Sequence, residues 1–232
     1  YGGVENLALI YGTVGAAPVQ NIGAYGVELK DVFKSCEAIY RESRSKINLE
    51  MGGCAFGYRD SIFKQRKDTY IITSVTFCLT KRNHQFKTHY GDIRIRLAAH
   101  GWRETPQHIA LVVKEIRRSK LPNPAELGNS GSFFKNPVIP RAQFLELQKR
   151  YPDMPHYSAG DDQEKIPAAY LIESCELKGY RIGAVGVHKG QPLVLVNYGG
   201  ATGTELLALA RYVQEQVKKR FDILMEMEVN VW

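Results

Sequence analysis

The stretch TPQHIALVVKEIRRSKLPNP, residues 105–124, constrains the fold more than any other part of this chain. Thr105 before Pro106 is the N-cap and first-turn pairing of a helix. The threonine oxygen accepts an otherwise unpaired amide, and proline has no amide to leave unpaired. Ile109, Val112, Val113 and Ile116 recur at helical spacing and make one apolar stripe. Pro122 and Pro124 stop the helix, because proline cannot supply the amide that a further turn needs. A domain boundary is placed there, after residue 121. The patterning differs on its two sides, and the class is α+β in two lobes.

Before the boundary, residues 32–40 and 46–49 read as a hairpin. In DTYIITSVTFCLT, residues Ile71, Thr73, Val75, Phe77 and Leu79 alternate and are assigned to one half-buried face. Beyond the boundary, residues 141–151 and 168–175 read as short helices. GAVGVHKGQPLVLVN reads as a hairpin turning near Lys189 and Gly190. The clearest helix is 202–220, where Thr202 and Glu205 form a capping box and Leu206, Leu209, Ala210, Val213 and Val217 line one face. ILMEMEVNVW, residues 223–232, reads as a strand returning towards the first lobe. The chain opens at YGGVENLALIYG without a methionine and reads as a segment of a longer protein.

Two stretches stand out chemically. YGTVGAAPVQNIGAYG, residues 11–26, is dense in glycine (Gly12, Gly15, Gly23, Gly26) but matches neither the dinucleotide fingerprint nor the P-loop. Such glycines let backbone amides approach a ligand; composition alone favours plain turns. LGNSGSFFKNPVIP, residues 127–140, sets Ser132 between Gly131 and the pair Phe133 and Phe134, with Lys135, Asn136 and Pro137 following. A tight turn needs only the Gly, Asn and Pro. The added aromatics and cation suggest a hydroxyl held on a rigid loop beside an anionic ligand. GNSGS does not place a serine in G-x-S-x-G, which argues against a serine hydrolase.

A net charge of +7 favours anionic partners. The dense basic spots are IRRSK, residues 116–120, and KKR, residues 218–220. KKR suits a helix C-terminus, while IRRSK stays open between a solvated helix end and a ligand site. Neither accompanies a nucleic-acid-binding signature, so no nucleic-acid partner is expected. Cys36, Cys54, Cys78 and Cys175 are scattered without a C-x-x-C pair, and the six histidines are dispersed, so no metal site is expected. No stretch approaches the roughly 18 apolar residues of a membrane span, and no secretory leader is seen. A cytoplasmic protein with no membrane partner is expected.

ENLALIYGTVGAAPVQNIGAYGVE (residues 5–28), FGYRDSIFK (56–64), GNSGSFFKNP (128–137) and the closing EMEVNV (226–231) resemble, in this order, the signatures of UDP-N-acetylenolpyruvoylglucosamine reductases. THYGDIRIRL, around Tyr90, resembles the longer type I form. The resemblance covers nearly the whole chain. It departs in three respects: no Gly-x-x-Ser-Asn stretch of the kind that helps hold the FAD pyrophosphate is found, a carboxy-terminal tail is short or absent, and Met227 and Asn230 stand where members often have Pro and Arg.

What the resemblance implies is an FAD-dependent NADPH oxidoreductase that converts UDP-N-acetylglucosamine enolpyruvate to UDP-N-acetylmuramate. That places it in peptidoglycan synthesis, and hence in cell-wall biogenesis, cell shape and cell division; a monomer is expected. Residues 1–121 would form a partial FAD-binding domain of the vanillyl-alcohol-oxidase/PCMH type. Residues 122–226 would form a substrate-binding domain, and 227–232 a strand returning to the flavin region. The family's catalytic residues fall on Arg59 as enolate clamp, Ser132 as proton donor and Glu228 as second stabiliser, the last protonated or paired with Arg59. Phe133 and Phe134 would exclude water. FAD would lie along Gly12, Thr13, Gly15, Ala16, Val19, Ile22 and Gly23. The UDP-sugar would meet Tyr90, Arg117, Lys120, Asn136, Tyr157 and Gln191. The plain alternatives are an Arg59 salt bridge to Asp60 or another acid, a turn-capping Ser132, an outward Glu228 on an edge strand, and ordinary helix-end or turn roles for the rest. The rival reading of the chain is a UDP-sugar-binding module, inactive without a flavin-anchoring segment.

Overall fold

The computed structural model describes residues 1–231. The chain divides into two compact units, Tyr1–Ser119 and Lys120–Trp232.

In the first unit the elements run β1 (Gly23–Ala24), β2 (Val27–Glu28), β3 (Phe33–Tyr40), β4 (Ser45–Glu50), α1 (Ile62–Gln65), β5 (Tyr70–Phe77), α2 (Ile93–Ala99) and α3 (Pro106–Lys120), the last closing at the unit boundary. β4, β3 and β5 form an antiparallel sheet in that order. The hairpin expected at 32–40 and 46–49 is its β3–β4 half. Cys36 and Phe33 on β3 pack with Ala17, Leu29, Cys54 and Phe63 as the core beneath it. α3 follows its sequence pattern. Thr105 Oγ1 accepts the His108 amide at 3.1 Å, and Ile109, Val112, Val113 and Ile116 are fully buried against Ile93 and Leu97 of α2.

The face assigned to β5 is corrected. Ser74 pairs with Glu37 and Ile72 with Ala38, so Thr73 is one residue more than β3 can match. This bulge reverses the inward side for everything before it. Ile72, Val75 and Phe77 pack on the core, while Ile71 is 51% exposed and Thr73 also faces solvent.

The second unit holds β6 (Gly128–Ser132), β7 (Val138–Pro140), α4 (Arg141–Arg150), β8 (Tyr157–Ser158), β9 (Gln163–Lys165), α5 (Ala168–Ser174), β10 (Arg181–Ile182), β11 (Val185–Val187), β12 (Val194–Asn197) and α6 (Gly203–Phe221). One antiparallel sheet has the order β10-β11-β12-β6, the other β7-β9-β8. α6 starts at the expected capping box: Thr202 Oγ1 accepts the Glu205 amide at 3.3 Å, and Glu205 accepts the Thr202 amide at 2.8 Å. These bonds from Thr202 hold the Glu205 carboxyl below its ordinary pKa. Leu209, Ala210, Val213, Val217 and Phe221 of α6 are buried, with Leu206 partly so. They pack with Phe133, Phe134, Val187 and Leu195 in this unit's core.

Two further expectations are corrected. GNSGS is a strand, β6, and not a turn. The closing stretch is not a regular strand: Met227 makes a single bridge to Phe134, both in the second unit. Position 232 lies outside the described residues.

Candidate functional site

In the first unit the glycine-rich segment is an open turn. Thr13 caps a short 3₁₀ turn, Val14–Ala16, its Oγ1 accepting the Ala16 amide at 3.3 Å. Gly12 has φ +116°, which glycine adopts without strain, and open space where a Cβ would stand. Gly12, Thr13, Val14 and Ala16 are exposed and Gly15 half-buried. Among the described residues the amides of Gly12, Thr13, Val14 and Gly15 donate to nothing. Val19 and Ile22 are different. Their side chains pack on the core, and their amides donate to Ala16 and Ala17.

Arg59 meets the far end of this segment. Its guanidinium donates to the Gly23 carbonyl at 2.5 Å and lies 3.9 Å from Glu28, so two residues expected on different grounds, Arg59 and Gly23, come together. A Cβ on Gly23 would fall 2.7 Å from Arg59 Nη1, so glycine there leaves room for the guanidinium. Of the acids weighed as an ion-pair partner for Arg59, it is Glu28 that lies at that 3.9 Å distance; the Asp60 carboxylate accepts from the Ser61 amide and from Gln65. Glu28 is also held by Asn21 at 3.0 Å and Lys30 at 3.0 Å, and buried Asn21 bonds the Gly57 carbonyl and the Lys30 amide. Glu28 and Asn21 were not singled out from the sequence, although both lie inside the QNIGAYGVE stretch; their signal is a carboxylate and an amide beside a glycine turn.

Tyr90 is 46% exposed and its ring covers Gly26, where any Cβ would collide with it. Arg117, on the last turns of α3, donates to the Leu9 carbonyl at 3.1 Å. Burial lowers its pKa and the nearby Tyr25 and Tyr11 oppose that, but a guanidinium remains charged. Lys120, at the end of the same helix, is exposed and makes no ion pair among the described residues.

In the second unit the GSFFKNP stretch is built around a bulge. Val194 pairs with Ser132 but Val196 with Asn129, so β6 carries an extra residue there. Gly131 supplies it with φ +73°, and its amide donates to Asn129 Oδ1 at 3.0 Å. Ser132, half-buried at the strand end, has a hydroxyl with no hydrogen-bond partner among the described residues. Phe133 and Phe134 are core residues, 3% and 1% exposed, with ring centroids 5.4 Å apart edge to face.

The closing segment runs beside them. The Glu228 amide donates to the Phe133 carbonyl at 2.8 Å and the Lys135 amide to the Glu226 carbonyl at 2.9 Å. Ser132 and Glu228 thus sit on hydrogen-bonded neighbouring segments. The cation that suggested an anionic ligand is engaged otherwise: buried Lys135 pairs with Glu226 at 2.6 Å.

Asn136 Oδ1 accepts the Ala168 amide at 2.9 Å, tying the motif to the start of α5. Tyr157, on β8, is 62% exposed. Gln191 lies in the β11–β12 turn. Its carbonyl accepts the Val194 amide at 3.0 Å, and Phe133 donates to Leu193 at 2.7 Å, so this turn adjoins the Ser132 strand end. His188, which sequence reasoning passed over, accepts the Gln191 amide on Nδ1 at 3.1 Å.

Among the described residues no group of three or more His, Cys, Asp or Glu is placed to hold a metal, and no helix is long and apolar enough to cross a membrane.

The comparisons with known proteins agree with one another. Residues 123–232 match the family described as UDP-N-acetylenolpyruvoylglucosamine reductase, C-terminal domain. The chain is 52% identical over 233 aligned positions to the UDP-N-acetylenolpyruvoylglucosamine reductase of Flavobacterium johnsoniae, covering 100% of this chain and 69% of that protein. It is 48% identical to the enzyme of that name from Pseudomonas putida, over 100% of this chain and 68% of the relative. The crystal structure of UDP-N-acetylenolpyruvylglucosamine reductase from Thermus caldophilus is similar in fold, with a TM-score of 0.65 at 23% identity. That match covers 100% of this chain and 64% of the other.

Proposed function

We propose a function from one premise: this chain belongs to the UDP-N-acetylenolpyruvoylglucosamine reductase family. In our reading it reduces the enol ether of UDP-N-acetylglucosamine enolpyruvate to UDP-N-acetylmuramate for peptidoglycan. Residues 1–121 serve as part of a PCMH-type flavin domain and 122–226 as the substrate domain, with 227–232 completing the site.

The reduction adds a hydride to the terminal carbon of the enol ether and a proton to its neighbour, which carries the carboxylate. FAD, recharged by NADPH, supplies the hydride when bound. The unspent amides of Gly12, Thr13 and Gly15 suit its phosphates and polar ring edge, as does the exposed turn at Ala16. Val19 and Ile22 support that turn from the core, and Gly23 adjoins Arg59. Charge that develops on the substrate carboxylate needs a fixed cation, and the Arg59 guanidinium can meet it through two parallel bonds. Ser132 holds the proton for the neighbouring carbon. A serine hydroxyl is a weak acid, which suffices beside a strongly basic carbanion. Glu228, on the segment bonded to Phe133, is the second stabiliser. Lys120, exposed at the end of α3, offers a cation to the diphosphate, with Tyr90, Arg117, Asn136, Tyr157 and Gln191 completing the sugar nucleotide site.

The observation that carries the reading is the Ser132 hydroxyl, without a partner among the described residues and set on a bulge beside the Glu228 segment. The test combines calorimetric titration with UDP-N-acetylglucosamine and NADPH consumption in the presence of FAD and the enolpyruvyl substrate. Formation of UDP-N-acetylmuramate is expected. Sugar-nucleotide binding without flavin retention or turnover favours a binding module, which the 68–69% coverage of the relatives keeps in play. Failure to bind the sugar nucleotide overturns both.

A further inference from the structure

The turn between β11 and β12 wraps around one imidazole. His188 Nδ1 accepts two backbone amides, Gly190 at 3.3 Å and Gln191 at 3.1 Å. A ring nitrogen accepts only when it carries no proton, so His188 is neutral with its hydrogen on Nε2. Partial burial, with Lys189 adding to it, holds its pKa below the ordinary histidine value and keeps that lone pair available. The rest of the turn is equally determined. The His188 amide donates to the Val194 carbonyl at 2.9 Å, and the Val194 amide returns to the Gln191 carbonyl at 3.0 Å. Gly190 permits the close wrap: a Cβ there would stand 3.1 Å from His188 Cε1. Val194 is also the register partner of Ser132.

We propose that His188 is a positioning residue, whose Nδ1 lone pair fixes the backbone of Gly190 and Gln191 and so presents the Gln191 side chain to the sugar nucleotide. This rests on the reading of Gln191 as a substrate contact. Without the imidazole, two turn amides lose their acceptor, and a glycine-containing turn has many conformations to occupy. Gln191 would then spend binding energy on being ordered.

The test uses the whole chain, UDP-N-acetylglucosamine as probe, and three variants: His188→Ala, His188→Asn and Gln191→Ala. Asparagine Oδ1 can replace Nδ1 as the acceptor, so His188→Asn is expected to stay within about threefold of wild type. His188→Ala and Gln191→Ala are each expected to weaken binding roughly tenfold, the worth of one hydrogen bond. A second readout needs no ligand: hydrogen exchange at the Gly190 and Gln191 amides is expected to quicken at least about tenfold in His188→Ala and not in His188→Asn. Unchanged exchange in His188→Ala overturns the proposal whatever the ligand does. Gln191→Ala weakening binding while His188→Ala does not overturns the positioning role alone. Normal binding by Gln191→Ala removes Gln191 from the site, and with it the reading on which the proposal rests.

Discussion

The two glycine-bearing stretches of this protein use the same residue in opposite ways. In the 11–26 segment Gly12 opens onto empty space, and among the described residues the amides of Gly12, Thr13, Val14 and Gly15 remain unspent. In the GSFFKNP stretch the backbone is committed to its neighbours. Gly131 makes the bulge, Phe133 bonds to Leu193 just before β12, Lys135 bonds to the closing segment, and the Ser132 hydroxyl has no partner among the described residues. The first arrangement suits a large ligand recognised by many backbone groups. The second suits a single proton placed with accuracy.

If the second stretch is wired to its core and residues 12–16 of the first are not, substitution should separate them most sharply at their apolar residues. Phe134→Ala empties a fully buried ring and is expected to cost about 3–5 kcal/mol of unfolding free energy. Val14→Ala, 59% exposed in the open segment, is expected to stay within about 0.5 kcal/mol. Urea unfolding measures both, and comparable losses would end the comparison. Gly131→Ala comes next. A side chain at φ +73° costs about 1–2 kcal/mol, and the Asn129–Gly131 turn should loosen with it. A loss under a few tenths of a kcal/mol, by the same measurement, would mean that the bulge is not rigid. Within the second stretch the smallest effect is expected at Lys135→Met. The cation is buried, but Glu226 is 67% exposed and recovers its hydration when left alone. A loss of at most about 1 kcal/mol is expected, and a loss above 3 would show a pair that water does not reach.

How much of this was legible in the sequence depends on the range of the interaction. α3 and α6 were readable because their caps and stripes are local, as Thr105 with His108 and Thr202 with Glu205 show. The inward face of β5 was misread because the bulge at Thr73 is imposed by β3, some 35 residues away, and strict alternation hides an unmatched residue. GNSGS was read as a turn for its glycines, yet it pairs with β12, which lies far along the chain. Lys135 suggested an anion; its partner Glu226 is 91 positions away. Of the candidate residues, Ser132, Arg59 and Glu228 were singled out through their motifs. Glu28 and His188 were not, because what marks them is a bond whose geometry no spacing announces.

The measurement that bears most directly on the account is stopped-flow spectroscopy of Ser132→Ala in the chain charged with FAD, each half-reaction followed separately. The half with NADPH needs no proton for carbon and is expected to run near the wild-type rate. The half with the enolpyruvyl substrate loses its positioned acid and is expected to slow by about 10² to 10⁴. Ser132→Cys should recover part of that loss, because a thiol can still donate a proton. Equal slowing of both halves would contradict the account and return Ser132 to the role of a residue that ends a strand.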